Sequence, residues 1–340
     1  MKFYRSRAPL RLGLGGGGTD IPEYSSLHGG AILNATINRY AHATIEPCDK
    51  GAISFCSMDR CISSTFDCAP QLAVTPEHKL AIGVYNRIVR DYAHAPLSFK
   101  LTTAVDAPPG SGLGSSSTLV VAIIGAFCEW LQIPLGEYEI AQLAFDIERI
   151  DLGLSGGKQD QFAATFGGFN FMEFETNGNV LVNPLRVKQD TLRELEHNLL
   201  LVGTGVSRES AQIIDTQKGI MAEGDEQKLS ALHEVKRAAY DMKRAVLTGD
   251  LDTLGRILRM SWESKKRTSD RISNPWLDSI ISTSLDAGAL GAKISGAGGG
   301  GYMMLYCPGV ARYDVVKSLQ AFDVTCLNVQ FVEHGLVTWA

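Results

Sequence analysis

Three clusters of glycine stand in this sequence where chemistry on an anion is feasible. The second reads Pro109-Gly110-Ser111-Gly112-Leu113-Gly114-Ser115-Ser116-Ser117, and an apolar helical pattern follows it at once. Strand, glycine loop and helix N-terminus together make an anion site. Glycines let the backbone approach, free N–H groups point outward, and the helix dipole is positive there. The serines add hydroxyl donors and a candidate metal ligand. Capping a helix requires neither three alternating glycines nor three serines. The first cluster is Gly13-Leu14-Gly15-Gly16-Gly17-Gly18, followed by Thr19-Asp20; the third is Gly296-Ala297-Gly298-Gly299-Gly300-Gly301. Both fit G-x-G-x-x-G, but a dinucleotide site needs a helix directly afterwards. Thr-Asp-Ile-Pro follows the first and the strand-like Tyr-Met-Met-Leu-Tyr the third, which excludes that reading. No cluster ends in G-K-[ST], so a Walker-type P-loop is excluded too, and the protein-kinase signatures are absent.

Three such loops suggest a nucleotide and a second substrate held together. Phosphoryl transfer then needs a magnesium ligand, a group that orients the attacking hydroxyl, and cations for the moving phosphate. Glu148, near the end of an amphipathic pattern, and Asp160, in the turn Ser155-Gly-Gly-Lys-Gln-Asp-Gln161, are the candidates. By local sequence alone Glu148 also reads as a surface carboxylate and Asp160 as a helix N-cap.

The positioning elements read as α+β. Apolar residues at odd positions from Ala31 to Ile45 predict strand, with Arg39 the basic exception on that face. Phe99, Leu101, Thr103 and Val105 repeat the pattern. Leu119–Leu131 and Tyr138–Ile150 read as helices, Asn177-Gly178-Asn179 as a hairpin turn and Leu199–Gly203 as a short buried strand. We expect a boundary near residue 186, giving an N-terminal domain (1–186) with the first two loops and a C-terminal domain (187–340) with the third loop. Leu229, Leu232, Ala239, Met242 and Val246 mark a long helix ended by Gly249, with Asp250 the N-cap of the next. Asn274-Pro275 opens another helix, and 292–306 is strand, glycine loop, strand.

Composition bounds the rest. The 340 residues are 45% hydrophobic and 20% charged with a net charge of −5, which disfavours a general nucleic-acid binder. The longest apolar run, Leu119–Phe127, is about half of a membrane span. The stretch after Met1 has no apolar signal core, and seven cysteines without C-x-x-C read as reduced thiols, so a cytoplasmic setting without membrane association is expected. For a phosphorylated acceptor, Arg39 and Arg208 offer cations. Ser207 would cap a helix that places Arg208 at its N-terminus. Lys265-Lys266-Arg267 reads as a solvated, dipole-matched helix end.

The loops resemble the three motifs of the GHMP small-molecule kinases, the family of galactokinase, homoserine kinase and mevalonate kinase. Pro109-Gly-Ser-Gly-Leu-Gly-Ser-Ser-Ser117 is similar to its second motif. Ala8-Pro9-Leu10-Arg11 with Gly17-Gly18-Thr19-Asp20 resembles the first, and Lys293-Ile-Ser-Gly-Ala-Gly-Gly-Gly-Gly301 the third. Leu10 departs from the family's usual glycine. The stretch Arg11 to Tyr24 looks like the sugar-kinase branch, which acts on heptose 7-phosphate or fucose. The resemblance implies a ribosomal S5 domain-2-like N-terminal domain and a ferredoxin-like C-terminal domain. It implies ATP with its phosphates over residues 109–117 and Mg2+ on Ser116 and Glu148. Asp160 would take or orient the hydroxyl proton, with Arg11 beside it. Asp20, Thr19, Gly17 and Gly18 would hold the sugar, and Gly298 and Gly299 would close over it. The implied activity is ATP-dependent phosphorylation of the anomeric hydroxyl of a sugar phosphate, by a monomer or homodimer. Another sugar kinase of the family, or a non-catalytic sugar and ATP sensor, is the alternative.

Overall fold

The computed structural model describes residues 2–49, 51–205 and 225–340. Strand β1 (Tyr4–Gly15) runs into the first glycine loop and a short helix α1 (Pro22–His28) before β2 (Gly30–Pro47) returns antiparallel to β1. The sequence reading left no helix there. Pro22 at the helix start, with its fixed φ and no N–H to lose, begins one four residues beyond Gly18. β2 is 18 residues long and serves two neighbours. Ala41–Pro47 pair with β5 (Phe99–Val105), and Gly30–Ala35 with β6 (Phe169–Phe174). β3 (Ala52–Ser57), β4 (Ile62–Asp67) and β7 (Val180–Pro184) extend this sheet at its ends.

The odd residues Ala31, Leu33, Ala35 and Ile37 are buried in one cluster with Leu10, Leu12 and Leu14 of β1. The opposite face is covered too, with Ile32 beside Phe162 and Met172. Leu10, where the family's usual glycine is missing, is fully buried here.

After α2 (Lys79–Ile88), α3 spans Ser115–Leu131, so it begins four residues before the expected Leu119 and takes the three serines as its first turn. Val120 to Phe127 are all buried, as befits a helix apolar on every side. The helix expected over Tyr138–Ile150 is α4 (Glu137–Asp146) followed by one π turn, Ile147–Asp151. Such widened turns re-aim side chains, often at functional sites. Helix α5 (Gln159–Phe166) follows the Gly156-Gly157 bend.

The expected boundary near residue 186 falls between β7 and α6 (Gln189–Asn198). Beyond it β8 (Leu199–Gly203), β9 (Gly291–Ile294), β10 (Tyr302–Tyr306) and β11 (Thr325–Asn328) form a four-stranded antiparallel sheet in the order β11-β8-β10-β9. Helices α7 (Glu226–Thr248), α8 (Leu251–Lys266), α9 (Pro275–Asp286) and α10 (Ala311–Ser318) accompany it. Gly249 ends α7 in the left-handed region; Asp250 and Asn274 cap the next two helices by accepting from Thr253 N–H and Leu277 N–H. The final strand β12 (Val337–Trp339) leaves this layer and pairs with β1.

The halves share one core. Leu10, Leu12 and Leu14 of β1 lie in the same buried cluster as Leu199, Leu201, Met242, Leu254 and Leu258. Each such side chain contributes about 1.5–3 kcal/mol by leaving water, so the cleft between the halves sits on a continuous apolar base. Among the described residues, no helix is long and apolar enough to cross a membrane.

Candidate active site

All three glycine loops meet at one cleft between the halves. Its walls are Gly18 and Asp20 from the first loop, Gly110, Gly112, Gly114 and Ser115 to Ser117 from the second, and Gly296 and Ala297 from the third. Gly112 has a φ of 76°, and a Cβ there would lie 2.4 Å from the Ser295 carbonyl oxygen. A Cβ on Gly296 would lie 2.8 Å from Gly112 Cα. The second and third loops therefore touch backbone to backbone, an approach open to glycine alone. Ser295 Oγ donates to the Gly112 carbonyl at 2.9 Å, and Tyr302 N–H to the Ser111 carbonyl at 2.9 Å.

Arg11 joins the first motif to the second. Opposite Leu10 the β1–β2 register shifts, so that Arg11 pairs with Thr36 while Pro9 pairs with Tyr40. Bulges of this kind re-aim side chains. Arg11 N–H donates to the Leu113 carbonyl at 3.1 Å. Its guanidinium reaches Asp160 Oδ1 through Nε at 2.8 Å and Nη2 at 2.6 Å, and the Gly112 carbonyl through Nη1 at 2.6 Å. Asp160 lies in the first turn of α5 and is not its N-cap, which is Lys158. One buried arginine thus fastens this carboxylate to the phosphate-grade loop.

Glu148 is 1% exposed rather than a surface carboxylate. The π turn carries it inward, where Gln161 Nε2 donates to its Oε2 at 2.5 Å and to Ser117 Oγ at 3.1 Å. Burial pushes its carboxyl pKa up, and Arg149, Ser117 and Gln161 pull it down. Asp20 is also buried. Its Oδ2 accepts from Gln159 N–H at 3.0 Å and its Oδ1 from Gly18 N–H at 3.3 Å. Burial raises its pKa, against the pull of the Gln159 N–H. Asp20 therefore holds the start of the helix that carries Asp160, besides facing the cleft.

Several of the expected residues do not line the cleft. Thr19 is fully buried, and its hydroxyl is spent on the Gly16 and Ala31 carbonyls at 2.8 and 3.1 Å. Ser111 and Leu113 are buried, and neither they nor Gly17 line the cleft. Gly298 and Gly299 pack on Ile272, Gly299 N–H donating to its carbonyl at 2.7 Å, so the third loop presents Gly296 and Ala297 instead. Arg39 sits in the β2 irregularity, donates to the Asn38 carbonyl at 3.0 Å and does not line the cleft. Arg208 lies outside the described residues.

Two lysines escape the sequence reading. Lys265, expected to be solvated, is 2% exposed, lines the cleft and donates to the Gly296 carbonyl at 2.6 Å. Its spacing carried the signal, for Leu254, Leu258, Ser261 and Trp262 precede it on the buried face of α8. Lys293, equally buried, donates to the Gly13 and Leu14 carbonyls at 2.7 and 3.1 Å. Burial lowers the pKa of Lys265 to about 8, with Asp20 opposing and Arg11 adding to the shift. Lys293 is lowered further by burial, Lys265 and Arg11.

Beside the cleft lies a second cavity lined by Arg60, His78, Leu80, Pro109, Leu119 and Ile123 among others; Ser115 and Ser116 belong to both.

Residues 79–168 match the model of the GHMP kinases N terminal domain, and residues 242–322 that of the GHMP kinases C terminal domain. D-glycero-alpha-D-manno-heptose 7-phosphate kinase of Campylobacter jejuni is 46% identical over 339 residues, covering 100% of this chain and 99% of that protein. The crystal structure of a D-glycero-D-manno-heptose 1-phosphate kinase from Bacteroides thetaiotaomicron superposes with a TM-score of 0.84 at 44% identity, covering 99% of each chain. L-fucokinase/L-fucose-1-P guanylyltransferase of Bacteroides fragilis is 29% identical over 361 residues, 97% of this chain but 37% of that protein. With both domain models matched in order and a relative of this identity along the whole chain, the protein belongs to the GHMP kinase family and is an ATP-dependent phosphotransferase.

Proposed function

We propose that the enzyme transfers the γ-phosphate of ATP to the anomeric hydroxyl of D-glycero-D-manno-heptose 7-phosphate, giving the 1,7-bisphosphate and ADP. The observation that carries this is the Arg11–Asp160 pair, which opens onto the same cleft as the first turn of α3 and the buried Glu148. The 46% identity to a heptose 7-phosphate kinase supports the choice of acceptor.

The nucleoside of ATP would occupy the second cavity, with its phosphates crossing Ser115 and Ser116 into the cleft. There the N–H groups of the α3 terminus, unsatisfied within the helix, would bind them. Asp160 would accept the proton of the anomeric hydroxyl as that oxygen attacks the γ-phosphorus and the bond to the leaving ADP oxygen breaks. Arg11 would neutralise charge on the phosphate in flight. Asp20 faces the acceptor side and can accept from sugar hydroxyls while it holds α5.

The residues present fit Mg2+. Glu148 is a desolvated carboxylate next to the Ser117 hydroxyl and lines the same cleft as Ser116, and Gln161 Oε1 beside it is buried with no partner among the described residues. Hard oxygen ligands of this kind, few in number, suit an ion that also binds phosphates and water. Ser116 and Glu148 would hold it, and the ion would neutralise the β- and γ-phosphate oxygens. The test is release of ADP with ATP, Mg2+ and a panel of heptose 7-phosphate, free heptose, fucose and galactose. Turnover fastest with heptose 7-phosphate is expected; a faster free sugar overturns the choice of acceptor, and no turnover of any sugar overturns sugar kinase activity.

A further inference from the structure

On the acceptor side of the cleft a buried ammonium stands without a direct ion pair among the described residues. Arg11 is neutralised by Asp160 at 2.6 Å. The Asp20 carboxylate is held by two backbone N–H groups. Lys265 has no carboxylate within ion-pair distance among the described residues; its one hydrogen bond goes to the Gly296 carbonyl at 2.6 Å. Lys293, behind it, is likewise bound to two carbonyl oxygens. A buried ammonium without a counter-charge is costly, yet α8 turns Lys265 inward with its apolar residues. An ammonium has three N–H donors, which leaves Lys265 two beyond the one on Gly296.

Its place in the cleft narrows what those donors meet. The charged groups that act on it are Asp20 from the first loop, Arg11 from β1 and Lys293 from β9. Lys265 thus lines the cleft with Asp20 and is tied to the third loop through Gly296. A Cβ on Gly17 would lie 3.8 Å from its Nζ, so Lys265 also abuts the first loop. With the sugar between Asp160 and Asp20, the far end of the acceptor approaches Lys265. An ammonium on a flexible stem is a strong point-charge ligand for phosphate.

We propose that Lys265 binds the phosphate group of the acceptor and so selects phosphorylated over free sugar. This rests on reading the cleft as that of a sugar phosphate kinase. Binding the dianion gives the ammonium a direct ion pair, which Asp20 does not make, and the Gly296 carbonyl holds the stem in place.

The experiment compares wild type, Lys265→Met and Lys265→Arg, each shown folded by its melting curve. In wild type, kcat/KM for heptose 7-phosphate should exceed that for free heptose. In Lys265→Met the preference should fall by about 10- to 100-fold, the scale of one charged hydrogen bond, with KM for ATP unchanged. Lys265→Arg should recover part of it. The wild-type kcat/KM for the phosphorylated sugar should also decline above about pH 8 as the ammonium deprotonates, while Lys265→Arg, charged throughout, should lack that limb. An unaltered preference in Lys265→Met overturns the assignment, as does an equal loss on both sugars or a rise in KM for ATP. If wild type turns over no heptose phosphate, the underlying reading fails, and binding of inorganic phosphate with a non-hydrolysable ATP analogue at saturation still tests Lys265. Equal binding by wild type and Lys265→Met then overturns the anion site; weaker binding by the variant supports it.

Discussion

Lys265→Met should make the protein more stable while impairing it as an enzyme. Burial holds the Lys265 pKa at about 8 in the folded chain, against 10.5 as its ordinary value. Because the folded pKa is depressed, the charged lysine destabilises the fold fully at pH 7, where both states are protonated. As pH rises from about 8 towards 10.5, the folded state releases its proton first, the unfolded state binds more protons, and stability increases. Integrating between pH 7 and pH 9.5 with those two values, wild type should gain about 2 kcal/mol on a variant that has no titrating group there. For a chain of 340 residues, unfolding entropy scales that to about 3 °C in melting temperature. The assay is calorimetric unfolding of both proteins at the two pH values, with the difference between them cancelling every other group. Lys265→Met should melt higher at pH 7, and the gap should shrink by pH 9.5. A variant that melts lower at pH 7, by a margin that pH does not change, would mean that the bond to Gly296 matters structurally and that Lys265 is not a desolvated charge awaiting an anion.

Three further outcomes follow from the geometry. Glu148→Gln keeps the buried shape and removes the charge, so it should fold at least as stably as wild type yet lose about 100-fold or more in turnover at saturating Mg2+; full turnover at low Mg2+ would refute its role as a ligand. Asp160→Asn should lower kcat by at least ~100-fold in an ADP-release assay, and a loss below that limits Asp160 to orienting the hydroxyl. Gly112→Ala demands a left-handed alanine and pushes a methyl against the Ser295 carbonyl, so urea unfolding should show a loss of about 2–4 kcal/mol; a loss under about 0.5 kcal/mol would mean the loop contact is slack.

Local patterns carried much of the architecture. The alternation from Ala31 to Ile45, the cap residues Asp250 and Asn274 and the left-handed Gly249 each act within a few residues of themselves, so their effects are readable without the fold. Even so, α3 takes in the three serines ahead of Leu119, and the helix read over Tyr138–Ile150 widens at Ile147. Lys265 was legible in principle, because it falls on the buried face of α8. Its neighbouring Lys266 and Arg267 made the triplet look like a solvated helix end.

For the site itself, the sequence determined which residue types were available: glycines for close backbone approach, serines at a helix start, and single carboxylates at 20, 148 and 160. Their order along the chain carried the family resemblance. Tertiary structure alone decided which of them share a cleft. Arg11 and Asp160 are 149 residues apart and bonded; Thr19 is adjacent to Asp20 yet spent on main-chain carbonyls. Gly298 and Gly299 belong to a loop that reaches the cleft only through Gly296 and Ala297. The physical reason is that burial, hydrogen-bond partners and the desolvation that perturbs Glu148, Asp20 and Lys265 are properties of what packs around a residue, and in this cleft those neighbours come from both halves of the chain.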